Sequence, residues 1–392
     1  MLDYITKDDT IIFSPHYDEL INVDLFSTYT KIIFSNYELN DDLFEKYLNN
    51  HLKYNHLKCI SSKLNNNIEL PVKIKHLLYS NYELCDDLFI KYSNINSLYI
   101  PSKYNKNIEL PINITHLIFG CSFNQKVELP KNLTHLTFGN YFNKKIELPK
   151  ILTHLTFGKC FNKLLVLPSK LTHLTFGYYF NQLIQLPLNI THLTLGFDFN
   201  QLIQLPPNIT YIIFGHKFNK LVELDPNITE LAFDWAFNQP LVLSENLTNL
   251  TFGFCFNQPL VLSPNITHLT FGYDFNQPLV LSPNITHLTF GVNFNQPIVL
   301  SPNITHLTFG VNFNQKVDFP FGIKYLKLYK DDAHNLDYLP VGIEFLELCY
   351  DYYSSLDNLP NTLSVIKLYY KCKKYIKYIH PNTKVIHNNY LY

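Results

Sequence analysis

Phe256-Asn-Gln-Pro-Leu-Val-Leu-Ser-Pro-Asn-Ile-Thr-His-Leu-Thr-Phe-Gly272 is followed, two residues later, by the same seventeen residues from Phe275 to Gly291. The step between them is nineteen, and it extends well beyond this pair. Gly120, Gly139, Gly158, Gly177, Gly196 and Gly215 fall on it, Asp234 interrupts it, and Gly253, Gly272, Gly291 and Gly310 resume. Twelve asparagines from Asn105 to Asn314 keep the same step. Self-similarity at so short a period marks a solenoid, in which the chain grows by adding coils and not by enlarging one core.

Each position in the unit has a physical task. His-Leu-Thr-Phe alternates polar and apolar side chains, which predicts a short strand with Leu and Phe turned inward. The glycine ends the strand where a positive φ would be cheap, and Pro or Ser with Asn marks the other bend. In the coil that opens at Leu129 the inward set is Leu129, Leu133, Leu136, Phe138, Phe142 and Ile146. A single coil cannot bury six such side chains, so stacked neighbours must supply the walls.

The strand signature continues with looser spacing on both sides. Ile11, Ile32, Leu57, Leu77 and Leu98 precede Leu117, and Leu326, Leu346, Ile366 and Ile386 follow Leu307. The expected fold is mainly β: one leucine-rich-repeat-like solenoid of about twenty coils with a parallel sheet on its concave face. Residues 1–109 are irregular N-terminal coils, 110–318 regular repeats, and 319–392 C-terminal coils of about twenty residues. Ser35 to Tyr47 recurs as Ser80 to Tyr92, and its Asp-Asp-Leu-Phe portion reads as a short capped helical turn.

The Phe-Asn-Gln-Pro-Leu/Ile-Val-Leu-Ser-Pro-Asn-Ile-Thr-His-Leu-Thr-Phe-Gly units of residues 238–314 resemble FNIP repeats, a leucine-rich-repeat relative found in social amoebae and amoeba-infecting giant viruses. The resemblance implies a protein-interaction role and carries no catalytic residue. Many members of that family are similar to ubiquitin-ligase receptors through an N-terminal F-box. Residues 1–50 lack its Leu-Pro start and helical periodicity, and Thr10-Ile-Ile-Phe-Ser14 matches Lys31-Ile-Ile-Phe-Ser35 as coils do.

Composition narrows the function further. The formal charge is −1 and there is no arginine, so the basic excess and bidentate forks of a nucleic-acid binder are missing. No apolar run reaches membrane-spanning length. The opening Met1-Leu-Asp-Tyr-Ile-Thr-Lys-Asp-Asp9 has no basic, apolar signal pattern. Seven cysteines form no CxxC pair and read as reduced thiols. The expected setting is cytoplasmic, the host's cytoplasm if the source is viral, with a monomeric chain and no cofactor.

Several columns offer chemistry. His116, His135, His154, His173, His192, His268, His287 and His306 share one strand position. No closed ligand set accompanies them, so a metal array is the weaker reading and a mostly neutral imidazole stack the stronger. That stack would make the protein acid-sensitive, and a metal- or pH-responsive ladder stands as an alternative function beside the ubiquitin-ligase one. The threonine column, the recurring Asn-x-Thr triplets that precede the strands and the Phe-Asn column read as strand, turn and core positions. Glu109, Glu128 and Glu147 read as a solvated face.

The pattern's interruptions point to the partner site. Tyr211, Glu230 and Asn249 replace histidine in three consecutive coils, and Ile213 and Ala232 replace threonine in two of them. Directly after the glycine column come Tyr178, Phe197, His216, Trp235, Phe254 and Tyr273, and Trp235 is the only tryptophan. Aromatic clusters around a tryptophan are typical of protein-binding hot spots. The same rings could instead pack only on one another.

Overall fold

A computed structural model describes residues 96–100, 102–330, 339–351, 359–369 and 379–388, together with the strand backbones at 4–7, 10–13, 31–34, 59–60 and 76–79. Two compact units divide the chain, residues 1–190 and 191–392. Among the described residues both are built of strands alone.

The first unit opens with β1 (Tyr4–Lys7), β2 (Thr10–Phe13) and β3 (Lys31–Phe34). β2 and β3 are parallel, with Thr10 opposite Lys31, as the matching sequences required. β1 pairs antiparallel with β2, a hairpin that the repeat does not anticipate. Then come β4 (Cys59–Ile60), β5 (His76–Tyr79), β6 (Ser97–Tyr99), β7 (His116–Ile118), β8 (His135–Thr137), β9 (His154–Thr156) and β10 (His173–Thr175). All are parallel, each to the next.

The second unit repeats this arrangement. Its strands are β11 (His192–Thr194), β12 (Tyr211–Phe214), β13 (Glu230–Phe233), β14 (Asn249–Thr251), β15 (His268–Thr270), β16 (His287–Thr289) and β17 (His306–Thr308). They continue into β18 (Tyr325–Lys330), β19 (Phe345–Asp351), β20 (Val365–Tyr369) and β21 (Lys384–Asn388). Every successive pair is parallel; residue i lies opposite i+19 through the regular coils, and the register shifts between Leu328 and Lys330 where β18 pairs with β19. Each unit is therefore a parallel, leucine-rich-repeat-like β-solenoid.

Two ends of the predicted Leu/Ile series shift by one residue. Val385, not Ile386, lies opposite Ile366, because the spacing returns from twenty to nineteen at the last coil. β4 pairs with β5 at an offset of nineteen, Cys59 opposite Leu78, whereas Leu57 and Leu77 are twenty apart. Leu57 and the two expected helical turns, 41–47 and 86–92, lie outside the described residues.

The core is a set of columns. Leu133, Leu136, Phe138 and Phe142 are each at most 2% exposed, and their equivalents recur in every regular coil. Leu129 and Ile146 are only half-buried, and Pro130 takes the interior place at that bend. Within a coil, Phe138 lies 3.8 Å from Phe142 between ring centroids; between coils it lies 5.5 Å from Phe157. Offset stacking of this kind adds to the area each ring buries. From Ser244 to Ser301 a buried serine replaces the proline, and its hydroxyl donates to a carbonyl of the coil before, as Ser263 does to Glu245 O at 2.7 Å.

The phenylalanine-associated asparagines form a ladder between stacked neighbours. The side-chain oxygen accepts a turn N–H of the next coil, as when Asn276 N donates to Asn257 Oδ1 at 2.9 Å. The glycine column has a different cause from the expected one. Gly139, Gly158, Gly177, Gly215, Gly253, Gly272, Gly291 and Gly310 do not take a positive φ; a Cβ on Gly272 would stand 1.8 Å from the carbonyl oxygen of Gly253. Glycine is needed because successive turns pass backbone against backbone. Asp234 escapes the conflict where β12 and β13 stay paired one residue longer, through Phe214 and Phe233, and its N–H donates to Phe214 O at 3.2 Å.

Candidate functional site

Strand alternation leaves two outward positions per coil, and in most coils these are His and Thr. The histidine rings stack face to face. In the first unit His116, His135, His154 and His173 are 4.1–4.2 Å apart between ring centroids, and in the second His268, His287 and His306 repeat that spacing.

The threonine before each histidine fixes the tautomer. Thr134 Oγ1 donates to Thr115 O at 3.0 Å, so its one hydrogen is committed. The 2.9 Å contact between Thr134 Oγ1 and His135 Nδ1 then requires the ring to donate from Nδ1. The same pair of bonds recurs at Thr153 and His154 and at Thr286 and His287. Burial, with the charges of His116, His154 and His173 behind it, lowers the His135 pKa from 6.5 to about 4. Burial followed by His306 and His268 lowers that of His287. Among the described residues no three His, Cys, Asp or Glu side chains are grouped so as to hold a metal ion.

The interrupted coils lie in the second unit and share the same register. Tyr211 is opposite Glu230, Glu230 opposite Asn249, and Asn249 opposite His268. Ile213, Ala232 and Thr251 run beside them. The Tyr211 ring continues the stack from His192 at 5.5 Å; Glu230 and Asn249 end it.

Past the strand ends, five of the six predicted rim residues form one stack. Phe197 lies 4.0 Å from His216, His216 5.2 Å from Trp235, Trp235 4.1 Å from Phe254, and Phe254 4.4 Å from Tyr273. The rings cover one another's faces and present their edges outward; Trp235 remains 44% and Tyr273 41% exposed. Tyr178 belongs to the first unit, where its ring meets Tyr179 edge-on.

Four features of the second unit were not read from the sequence. Asp234 does more than interrupt the glycine column: Oδ1 accepts the Trp235 N–H at 2.8 Å, and Oδ2 lies 3.6 Å from His216 Nδ1. Lys217 is held by Asp198 at 2.7 Å beside the Phe197 ring. Val242, Val261, Val280 and Val299 form an apolar stripe on the far side of the coils, each at least 87% exposed. The Asn-x-Thr triplets line a shallow groove of about 810 Å³ running from Asn227 to Asn303. Its amides and hydroxyls are tied to the preceding coil, as when Asn265 Nδ2 donates to Glu245 O at 2.9 Å.

A parallel stack of short strands with inward leucines and an outward polar column defines a leucine-rich-repeat protein. The chain is an FNIP repeat-containing protein: the FNIP Repeat model matches seven times, over residues 104–141, 123–160, 161–198, 180–217, 256–280, 275–299 and 294–331. Among solved structures it is similar to CroV588, described as a novel circular LRR protein, which comes from a giant virus. The identity is 28% and the TM-score 0.65, covering 94% of this chain and 70% of that one. YopM from Yersinia enterocolitica WA-314 shares the fold at 17% identity and TM-score 0.52, covering 90% of this chain and 91% of the other. No match is found among the curated proteins.

Proposed function

We propose that this protein is a non-catalytic interaction scaffold that docks a protein partner on the outward strand face of its second unit, over coils 197–273. Leucine-rich-repeat proteins are commonly protein-binding scaffolds, and the two similar structures are of that fold. One observation carries the location. Over three consecutive coils the outward residues change identity while the buried residues beneath them, Ile212, Leu231 and Leu250, stay apolar and at most 2% exposed. The packing of the core does not call for such changes, so a surface task accounts for them better. The proposed setting is a monomer in the cytoplasm, the host's cytoplasm for a viral chain, with protein and not nucleic acid as the target.

The test is affinity capture from host cytosol with four proteins side by side: wild type, Tyr211→Ser, Trp235→Ala and Val261→Ser. Partner recovery should fall severalfold with the first two variants and stay unchanged with Val261→Ser, which alters the opposite side. Unchanged recovery with Trp235→Ala, accompanied by a lower melting temperature, would show that the rings only hold the coils together.

A further inference from the structure

The outward face changes its chemistry at one coil. From β7 to β17 the outward strand positions hold His, Thr, Ile, Tyr, Ala and Asn, and Glu230 is the single one with a formal charge at neutral pH. Its side chain is exposed and makes no hydrogen bond or ion pair with the described residues. Three other acids of this unit have a lysine partner, Asp198 with Lys217 at 2.7 Å, Glu344 with Lys324 at 2.7 Å, and Glu347 with Lys327 and Lys367 at 3.1 Å; Glu223, Glu245 and Asp318, which lie off the strands, have none among the described residues.

Two residues along the same face, Ala232 stands between Ile213 and Thr251 and leaves a step where its neighbours carry longer side chains. Two residues further, Asp234 brings a second carboxylate to that side, on the strand's extension. At about 3.3 Å per residue, four residues of strand separate the two acids by roughly 13 Å. An extended peptide places its own residues i, i+2 and i+4 on one face at the same spacing.

We propose that this coil receives an extended basic segment of a partner protein. A lysine or arginine meets Glu230, a short apolar side chain covers Ala232, and a second basic side chain reaches Asp234. An unpaired carboxylate brought under a partner must be matched by a donor, and a cationic donor forms the stronger, charge-assisted bond. Tyr211 and Asn249 on either side supply no competing cation. The inference rests on the docking face proposed above and specifies the chemistry of what binds there.

Trp235 adjoins Asp234 and is the only tryptophan, so its fluorescence reports occupancy of this coil. The probe is a synthetic Lys-Thr-Val-Thr-Lys peptide, with Lys-Lys-Thr-Val-Thr as a control of equal composition and wrong spacing. Wild type should bind the first severalfold more tightly than the second. Glu230→Gln should weaken that binding about tenfold, the scale of one charge-assisted contact. Glu230→His restores the residue of the repeat, and so preserves the fold, and should do the same. Glu245→Gln, a matched charge change at an exposed turn, should alter affinity less than about twofold. Absence of a wild-type response, equal binding of the two peptides, or equal loss at Glu245 and Glu230 would each overturn the proposal. If the capture experiment retains its Tyr211 dependence while the peptides fail, the docking face stands and the basic epitope is what falls.

Discussion

Coils 268–308 and coils 211–251 of the second unit share one interior and differ outside. Both bury a strand leucine or isoleucine and the paired phenylalanines, and both carry the asparagine ladder. Outside, the first set repeats His and Thr with ring centroids 4.1–4.2 Å apart, and the second shows Tyr211, Glu230 and Asn249 above a rim of stacked rings. The difference teaches that the fold is secured by columns that never reach the outward face. That face is consequently where sequence can vary at little cost in stability.

The comparison breaks most readily at the interior. Phe237→Ala in the interrupted set and Phe275→Ala in the regular set should each cost about 3–5 kcal/mol in chemical denaturation, since both rings are at most 1% exposed. A clearly smaller loss at Phe237 would mean that the two interiors are not equivalent. Next is the glycine column. Gly272→Ala should cost about 1–3 kcal/mol or more, because the Gly253 carbonyl occupies the space of the new methyl group. Asp234→Gly should change stability far less, and a calorimetric scan of both variants tests the contrast. Asn257→Ala removes the acceptor for Asn276 N and the hydrogen bond from Gln277, and should cost about 1–3 kcal/mol by leaving a turn N–H unmatched.

The smallest effect is on pH dependence, and it sharpens the comparison. Between pH about 4 and 6.5 the unfolded chain binds protons that the folded His135 does not, because the folded pKa is the lower one. Stability is therefore full above pH 6.5, declines as the pH falls, and levels off below about 4. Burial pushes the Glu347 carboxyl up, but hydrogen bonds and charge from Lys327 and Lys367 outweigh it and bring the pKa below 4.5. Its contribution is present above that value and lost below it. Melting temperatures recorded from pH 7.5 to 5 should fall, and His135→Asn, copying the residue at Asn249, should flatten the slope. A flat wild-type profile would remove the acid-sensitive stack.

Much of this was legible because a solenoid converts sequence spacing into spatial adjacency. The nineteen-residue step alone placed Leu136 beside Leu155, His135 beside His154, and Trp235 beside Phe254, and the structure has all three. The step could not say why a position was occupied as it was. Gly272 looked like a residue chosen for its dihedral freedom; the close passage of the Gly253 backbone is a property of two coils together. The step set Asn257 beside Asn276, but that its side-chain oxygen accepts the Asn276 N–H is again a property of two coils together. The outer series slipped by one at Ile386 because a spacing of twenty preceded it, and spacing by itself carries no register where it changes.

The sequence by itself determined the architecture, the buried columns and the coils at which the outward face departs from its repeat. Periodic hydrophobicity is a local property, and stacking is its only route to burial. Only the tertiary structure decided the histidine tautomer, the ring faces hidden in the rim, the 3.6 Å approach of Asp234 to His216 and the lack of a partner for Glu230 among the described residues. Hydrogen bonds and ring contacts depend on side-chain direction and on distances of a few ångströms, and a repeat length fixes neither.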